Sequence, residues 1–516
     1  MTNPGAAIKM LITYAIIIPL AIFVGYIMTD VAGHADYSNL GMVGLVIAVI
    51  LSPVFIKWHY PIMVFGLAFP AYLFFLVGNP PCWQVVVILS LGIAIVERTM
   101  NREKRFLSVP SMTWPLLFIV AVIVLTAWLT GGFGLHSLGG SSGGGKKYIT
   151  ALLGVAGYFA LSSRRIPREH VKFYVGLYFL SALPSFVSDL FPFLPSPLNY
   201  INLLFPPNYI SNVDMAVGVS RLGSMSATLV AIVFFLLARH GLRGVFFTPN
   251  VFRAVGLILM LGLSTLGGFR STLLTNLLIL VMLFFLEGLH RTRLLPAAIM
   301  GLALMAAVLV PLASHLPFTV QRSLTILPLD LDPQARLDAE GSSEWRRNMW
   351  RDLWPKVPDY LLLGKGYLLK SDDFEMMGST ALSTGYAAQI DQSSVGLAAS
   401  GDYHSGPLST LIPFGIWGGL AFLWVTLAGL RILYRNWKYG DPELKTINAF
   451  LLAWYLQRYL TFFFIFGGFE MDLGLFARTV GFSVALNGGL RGPVRAPVEP
   501  VSFKAPARLQ RQPQPA

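Results

Sequence analysis

Residues 113–130 read TWPLLFIVAVIVLTAWLT, eighteen in succession without a charge. As a helix rising 1.5 Å per residue this stretch covers about 27 Å, close to the roughly 30 Å of hydrocarbon in a bilayer. Working outward, similar apolar runs fall at about 9–28, 40–57, 61–78, 83–97, 148–163, 171–189, 222–239, 252–268, 271–289, 294–314, 407–434, 446–467 and 471–487. The chain of 516 residues is 55% hydrophobic and 12% charged, where soluble domains carry about 25% charged residues. The pattern predicts an all-α, polytopic integral membrane protein with about 14 transmembrane helices, and it excludes an ordinary soluble enzyme. The single cysteine, Cys82, excludes an internal disulfide, a CxxC redox pair and a four-cysteine metal site.

Basic residues set the sidedness. With a cytoplasmic N-terminus, the inner connections receive Arg98, Arg102, Lys104 and Arg105, then Arg164, Arg165, Arg168 and Lys172, and later Arg239, Arg243, Arg291, Arg293, Arg431 and Arg435. Most of the 38 Lys and Arg then face the cytoplasm, as the positive-inside rule requires. The net charge of +13 is thereby assigned to membrane sidedness and to contact with membrane lipids, with no nucleic acid partner. The run at 9–28 lacks a small-residue cleavage site and is expected to remain as a span. The chain divides into a transmembrane bundle over 1–314, an extracytoplasmic loop over 315–405, the continued bundle over 406–489, and a proline-rich, basic, disordered cytoplasmic tail over 490–516.

The loop at 315–405 holds eight Lys/Arg and twelve Asp/Glu. A connection this long is functional or disordered, and its aromatics and helix-like segments predict a folded cap. Around it stand cations where the positive-inside rule would not put them: Arg221 before one span, Arg270 before another, and His404 before a third. Guanidinium groups bind diphosphate oxygens bidentately and stay charged at any relevant pH; an imidazole is the natural proton acceptor near neutrality. Within the loop, SSEWRRNMWRDLW (342–354) begins with serines and spaces Trp345, Met349 and Leu353 at four residues, predicting a serine-capped amphipathic helix. Arg346 beside Trp350, and Arg347 beside Arg351, could stack a guanidinium on an indole while facing a ligand, or could pair with the loop's own acids. Downstream, Pro358 is expected to end that helix, and Gly364 and Gly366 to make a turn whose amides approach a substrate.

Other motifs carry less. GSSGGGKK (140–147) matches GxxxxGK but has Lys147 where a phosphate loop needs Ser or Thr, and no strand precedes it; it is expected to be a flexible glycine loop. Arg458 and Arg478 fall near the middle of the last two spans, where a charge needs a partner, and Glu470 and Asp472 are the candidates. Asp189 and Asp214 are further acids in the proline-rich segment 190–221 and at its edge.

The order of these elements resembles the O-antigen ligase and O-antigen polymerase superfamily of bacterial membrane glycosyltransferases. The resemblance covers roughly 215–425. It consists of Arg-x-Gly (Arg221, Gly223), Arg270 before the span after next, then a large outer loop. That loop holds Arg-xxx-Trp (Arg346, Trp350), a proline and Gly-x-Gly (Pro358, Gly364, Gly366), and His404 with Gly415 eleven residues on. Ser405 stands where the family commonly has Asn, and the loop arginine is either Arg346 or Arg347. The resemblance implies inverting, metal-independent transfer of a glycan from an undecaprenyl diphosphate-linked oligosaccharide donor, with no cofactor, to a glycan, lipid A core or protein acceptor outside the bacterial inner membrane. His404, Arg270 and Arg221 would be catalytic, and Arg346, Arg347, Trp350, Gly364 and Gly366 would bind substrate. A transporter or flippase for a lipid-linked glycan is the alternative, since many spans and embedded arginines also suit a protein that moves an anionic lipid.

Overall fold

The structure, a computed structural model, describes residues 38–76, 78–101, 103, 105–130, 144–206, 221–368 and 401–493. The expected span at 9–28, Asp214 and the tail from 494 lie outside the described residues. The main helices are α1 (Ser38–Gly66), α2 (Cys82–Met100), α3 (Pro110–Thr130), α4 (Gly144–Ser162), α5 (Val171–Leu180), α6 (Gly223–Phe246) and α7 (Val251–Ser264). They continue as α8 (Arg270–Leu286), α9 (Leu294–Leu312), α10 (Phe318–Leu324), α11 (Pro333–Leu353), α12 (Gly406–Tyr439), α13 (Lys445–Phe464) and α14 (Phe469–Asn487). Among the described residues there is no strand, only an isolated bridge between Tyr72 and Pro81.

Among the described residues six helical stretches are long and apolar enough to cross a membrane: Cys82–Met100, Pro110–Thr130, Arg168–Asp189, Gly223–Phe246, Leu294–His315 and Gly406–Tyr439. Val251–Gly267 and Arg270–Leu286 are shorter apolar helices. The chain is an all-α, multi-pass membrane protein. The expected runs at 40–57 and 61–78 are a single helix, α1, kinked at Trp58 one turn before Pro61, because proline cannot donate to the preceding turn. Beyond Gly66, Pro70, Pro80 and Pro81 prevent a second helix. The helices that fall short on apolarity lie inside the bundle, where a neighbouring helix replaces lipid and polar side chains find partners.

α14 shows this best. It packs along α4, and a Cβ on Gly154 would lie 2.6 Å from the Gly474 Cα, so two glycines let the backbones touch. Asn448 donates to the Asn436 carbonyl (3.1 Å) and to Asn487 Oδ1 (3.0 Å), and Asn487 donates back to Asn448 Oδ1 (2.8 Å). This clasp ties α12, α13 and α14 at one end. Arg458 pairs with Asp472, which also accepts from the Gly468 amide at 2.9 Å; one of the two embedded arginines thus has the acid partner that its cost demands. Phe422, Phe462, Phe469 and Phe476 fill the space between the same helices. By contrast α9 buries none of its residues: an all-apolar helix with no polar face is one that lipid surrounds.

Two long helices are broken by glycines in the left-handed region. In α6 the break is Gly241 (φ 64°), and Glu287 caps the new N-terminus by accepting from the amides of Leu242 (2.8 Å) and Arg243 (2.9 Å). In α12 the break is Gly415 (φ 63°), and it shapes the functional site.

Candidate functional site

At the end of the bundle that carries the 315–405 segment, α10 and α11 lie across the starts of α6 and α8. α11 begins at Pro333, where Asp332 accepts from the Gln334 amide at 2.8 Å. An Asp cap followed by Pro at the first helical position is a stronger start signal than the serines at 342, so the helix opens about ten residues earlier than expected. The serines then sit in mid-helix, beside Asp338 and Ala339 at helical spacing, and this row receives three guanidinium groups.

Arg221, two residues before α6, donates to Asp338 Oδ2 at 3.0 Å. Arg270, the first residue of α8, donates to the Ala339 carbonyl (2.6 Å) and to Ser343 Oγ (2.8 Å). Arg322, on α10, reaches the same Asp338 carboxylate, the Gly268 carbonyl and, at 3.0 Å, Ser342 Oγ. Arg322 is buried, and sequence reading missed it. Its signal would have been an arginine in a short segment, FTVQRSL, whose neighbours Thr319, Ser323 and Leu324 are also buried.

Of the two expected loop arginines, Arg346 is half-buried and Arg347 is exposed. Burial and then the Arg322 charge lower the Arg346 pKa from its ordinary value, which puts Arg346, not Arg347, in the arginine cluster. Expected stacking of a guanidinium on Trp350 is absent among the described residues. Its indole instead donates to the Tyr403 carbonyl at 2.9 Å and packs with Val357, Tyr403 and Leu408, so Trp350 fixes the residue before His404.

His404 takes a left-handed conformation (φ 46°), uncommon for a residue with a Cβ and a mark of imposed geometry. Its ring lies 5.2 Å from that of Phe466, and Nδ1 is 3.7 Å from Asp402 Oδ1. Burial is the largest influence on its pKa and lowers it; Asp402 opposes, while Arg346 and Lys147 lower it further. The balance favours neutral imidazole, the form that accepts a proton.

Gly364 and Gly366 have φ of 76° and 69°, but their amides do not present themselves to a ligand. The Gly364 amide donates to the Tyr360 carbonyl (2.8 Å) and that of Gly366 to Pro413 (3.0 Å). Lys365 donates to Ile412 (2.8 Å), and Ile416 returns a bond to Leu361 (2.7 Å). The Gly415 break in α12 frees these groups, and the 361–366 segment pairs with them. A Cβ on Gly364 would lie 2.1 Å from the Pro413 oxygen, so glycine is required by close approach. Pro358 does not end α11, which stops at Leu353; it sits in the first turn of a short helix, Val357–Tyr360.

Among the remaining candidates, Asp189 is buried and accepts from the Met225 amide at 2.7 Å, which fastens α6. Arg478 hydrogen-bonds the Gly474 (3.0 Å) and Leu67 (3.4 Å) carbonyls and lies 4.6 Å from the centre of the Trp83 ring; Glu470 pairs with Lys147 at 3.6 Å. Of the glycine stretch, 140–143 lie outside the described residues and 144–147 are the first turn of α4, which delivers Lys147 to the site. No group of three or more His, Cys, Asp or Glu among the described residues could hold a metal ion.

A cluster of guanidiniums thus lies near a half-buried histidine on a multi-pass helical bundle. Residues 255–423 match the family described as O-Antigen ligase, a stretch running from α7 through the loop to α12. No curated protein and no solved structure matches the chain.

Proposed function

We propose that the protein transfers a glycan from an undecaprenyl diphosphate carrier to an acceptor hydroxyl at the outer face of a bacterial inner membrane, with both termini in the cytoplasm. The observation that carries this reading is the convergence of Arg221, Arg270, Arg322 and Arg346 next to His404 inside the O-antigen ligase match and just before it. Asp338, Ala339 and Ser343 offer these guanidiniums oxygen atoms; the two phosphates of the donor would offer better ones, because charge-assisted bidentate bonds are the stronger kind.

In this mechanism the acceptor hydroxyl attacks the anomeric carbon of the donor sugar as the bond from that carbon to the diphosphate oxygen breaks. The hydroxyl proton passes to His404, and the negative charge gained by the departing diphosphate oxygen is stabilised by the arginines. Donors preorganised on a leaving group supply about 10²-fold or more in rate each. No metal ion is needed for this neutralisation. The test is the configuration of the new linkage by NMR: an α-linked donor sugar should give a β-linked product, and retention of configuration would exclude a single displacement.

A further inference from the structure

A second cationic site lies beside the arginine cluster but apart from it. A cavity of about 810 Å³ opens between α2, α4, α14 and the start of α6, and none of Arg221, Arg270, Arg322, Arg346 and His404 lines it. Its cations are Lys146, Lys147 and Arg478, against the single carboxylate of Glu470. Lys147 uses that carboxylate, at 3.6 Å. Arg478 has no carboxylate partner among the described residues: two backbone carbonyls and the Trp83 ring hold its guanidinium in place. A guanidinium inside a membrane bundle that is oriented but not neutralised marks a ligand path. The rest of the wall is mostly apolar, with Leu67, Phe69, Pro70 and Met471 beside the polar Gln84 and Ser224. Gln84 is itself oriented, donating to Thr150 Oγ1 at 3.0 Å.

We propose that this cavity binds the phosphate-bearing headgroup of a lipid, with Lys146, Lys147 and Arg478 on the phosphate and the apolar wall along the first part of the chain. The excess of positive charge selects an anion, and the wall favours one attached to a hydrocarbon over a free ion. Resting on the transfer reading above, the site then belongs to the acceptor, which is a phosphorylated lipid-anchored glycan and not a protein. The placement of Lys147 supports this: it reaches into the cavity, lies 5.3 Å from the centre of the Tyr367 ring, and acts electrostatically on His404 together with Arg346. A Cβ on Gly401, three residues before His404, would lie 3.6 Å from Lys147 Nζ, so His404 is within electrostatic reach of a cation from each site, as a base must be if one holds donor and the other acceptor.

The test uses the purified full chain in detergent, with undecaprenyl phosphate as probe and native mass spectrometry to count bound copies. Two copies are expected on the wild type, one at each cationic site. Lys146→Gln with Lys147→Gln should weaken one copy roughly tenfold or more, as loss of charge-assisted bonds does, and Arg270→Ala with Arg346→Ala should weaken the other. Arg351→Gln, an exposed charge on the loop, should leave both. Neutral undecaprenol binding as well as the phosphate would overturn an anion site, inorganic phosphate competing with equal affinity would overturn a lipid site, and an unchanged copy number in the double lysine variant would overturn both. Arg478→Gln can unfold the bundle, so the lysine variant carries the decision. Kinetics separate the two claims: if the wild type transfers no glycan, the transfer reading fails while lipid binding can stand. If it transfers and the lysine variant does not raise the acceptor KM, the acceptor assignment fails.

Discussion

His404 carries the most specific chemistry at the scale of a residue. Its pKa is lowered by burial and by Arg346 and Lys147, so the neutral form persists below the ordinary value of about 6.5. The transfer rate should therefore stay flat through neutrality and fall only on the acid side, with an apparent pKa below 6.5. An apparent pKa above that value, measured with saturating donor, would contradict a half-buried neutral base. His404→Gln should lose about 10²-fold or more in rate with the donor Kd unchanged. Arg346 and Arg347 offer a paired control: Arg346→Ala should weaken donor binding by tenfold or more, and Arg347→Ala, exposed on the next position, should change it less than twofold. Equal effects would mean that the wrong flank of α11 has been assigned to the donor. The sequence could place an arginine at this point of the loop but not choose between the two, because the choice depends on which flank of α11 meets α10.

Among the elements, the break in α12 decides how the loop is attached. Gly415 interrupts the helix, and the 361–366 segment pairs with the exposed groups. Gly364→Ala would place a methyl 2.1 Å from the Pro413 oxygen at a positive φ, and should cost more than about 1 kcal/mol. A lowered Tm in detergent together with faster proteolysis of the loop would show it; an unchanged Tm would mean that the segment is not fastened to α12. The Gly-x-Gly was legible in the sequence as a turn, but its purpose was not, since its partners Ile412 and Pro413 lie far along the chain in α12 and only the fold brings them near. For the same reason α11 was read too short. Its cap at Asp332 precedes the apolar spacing by a stretch of charged residues, and the arginines that hold that stretch come from just before α6, from α8 and from α10.

For the molecule as a whole, the helical class and the membrane setting follow directly from apolar runs such as that in α3, because lipid demands them wherever a helix faces it. The count of spans was less accessible. Helices enclosed by other helices, such as α13 and α14, carry Asn448, Arg458, Asp472 and Arg478 paired across the bundle, and this makes them look less apolar than a lone span. The cationic site was partly legible: Arg221 and Arg270 stood out through sidedness and Arg346, with Arg347 as its alternative, through the loop helix, whereas Arg322 and Lys147 needed the packing of α10 and α4. Sidedness itself is open to a direct check. In a Cys82→Ser background, Arg351→Cys on the exposed loop face should react with a membrane-impermeant maleimide added outside intact cells, and Lys438→Cys at the far end of α12 should not. The reverse pattern would place the site in the cytoplasm.

The most direct measurement is transfer by the purified, reconstituted protein from a synthetic undecaprenyl diphosphate oligosaccharide, read by product mass for wild type, Arg270→Ala and His404→Ala. The account predicts glycan transfer by the wild type and a loss of about 10²-fold or more in each variant, with all three equally folded. A wild type that makes no product with any acceptor but moves the labelled lipid between leaflets would contradict it, and would make the arginine cluster part of a transport path.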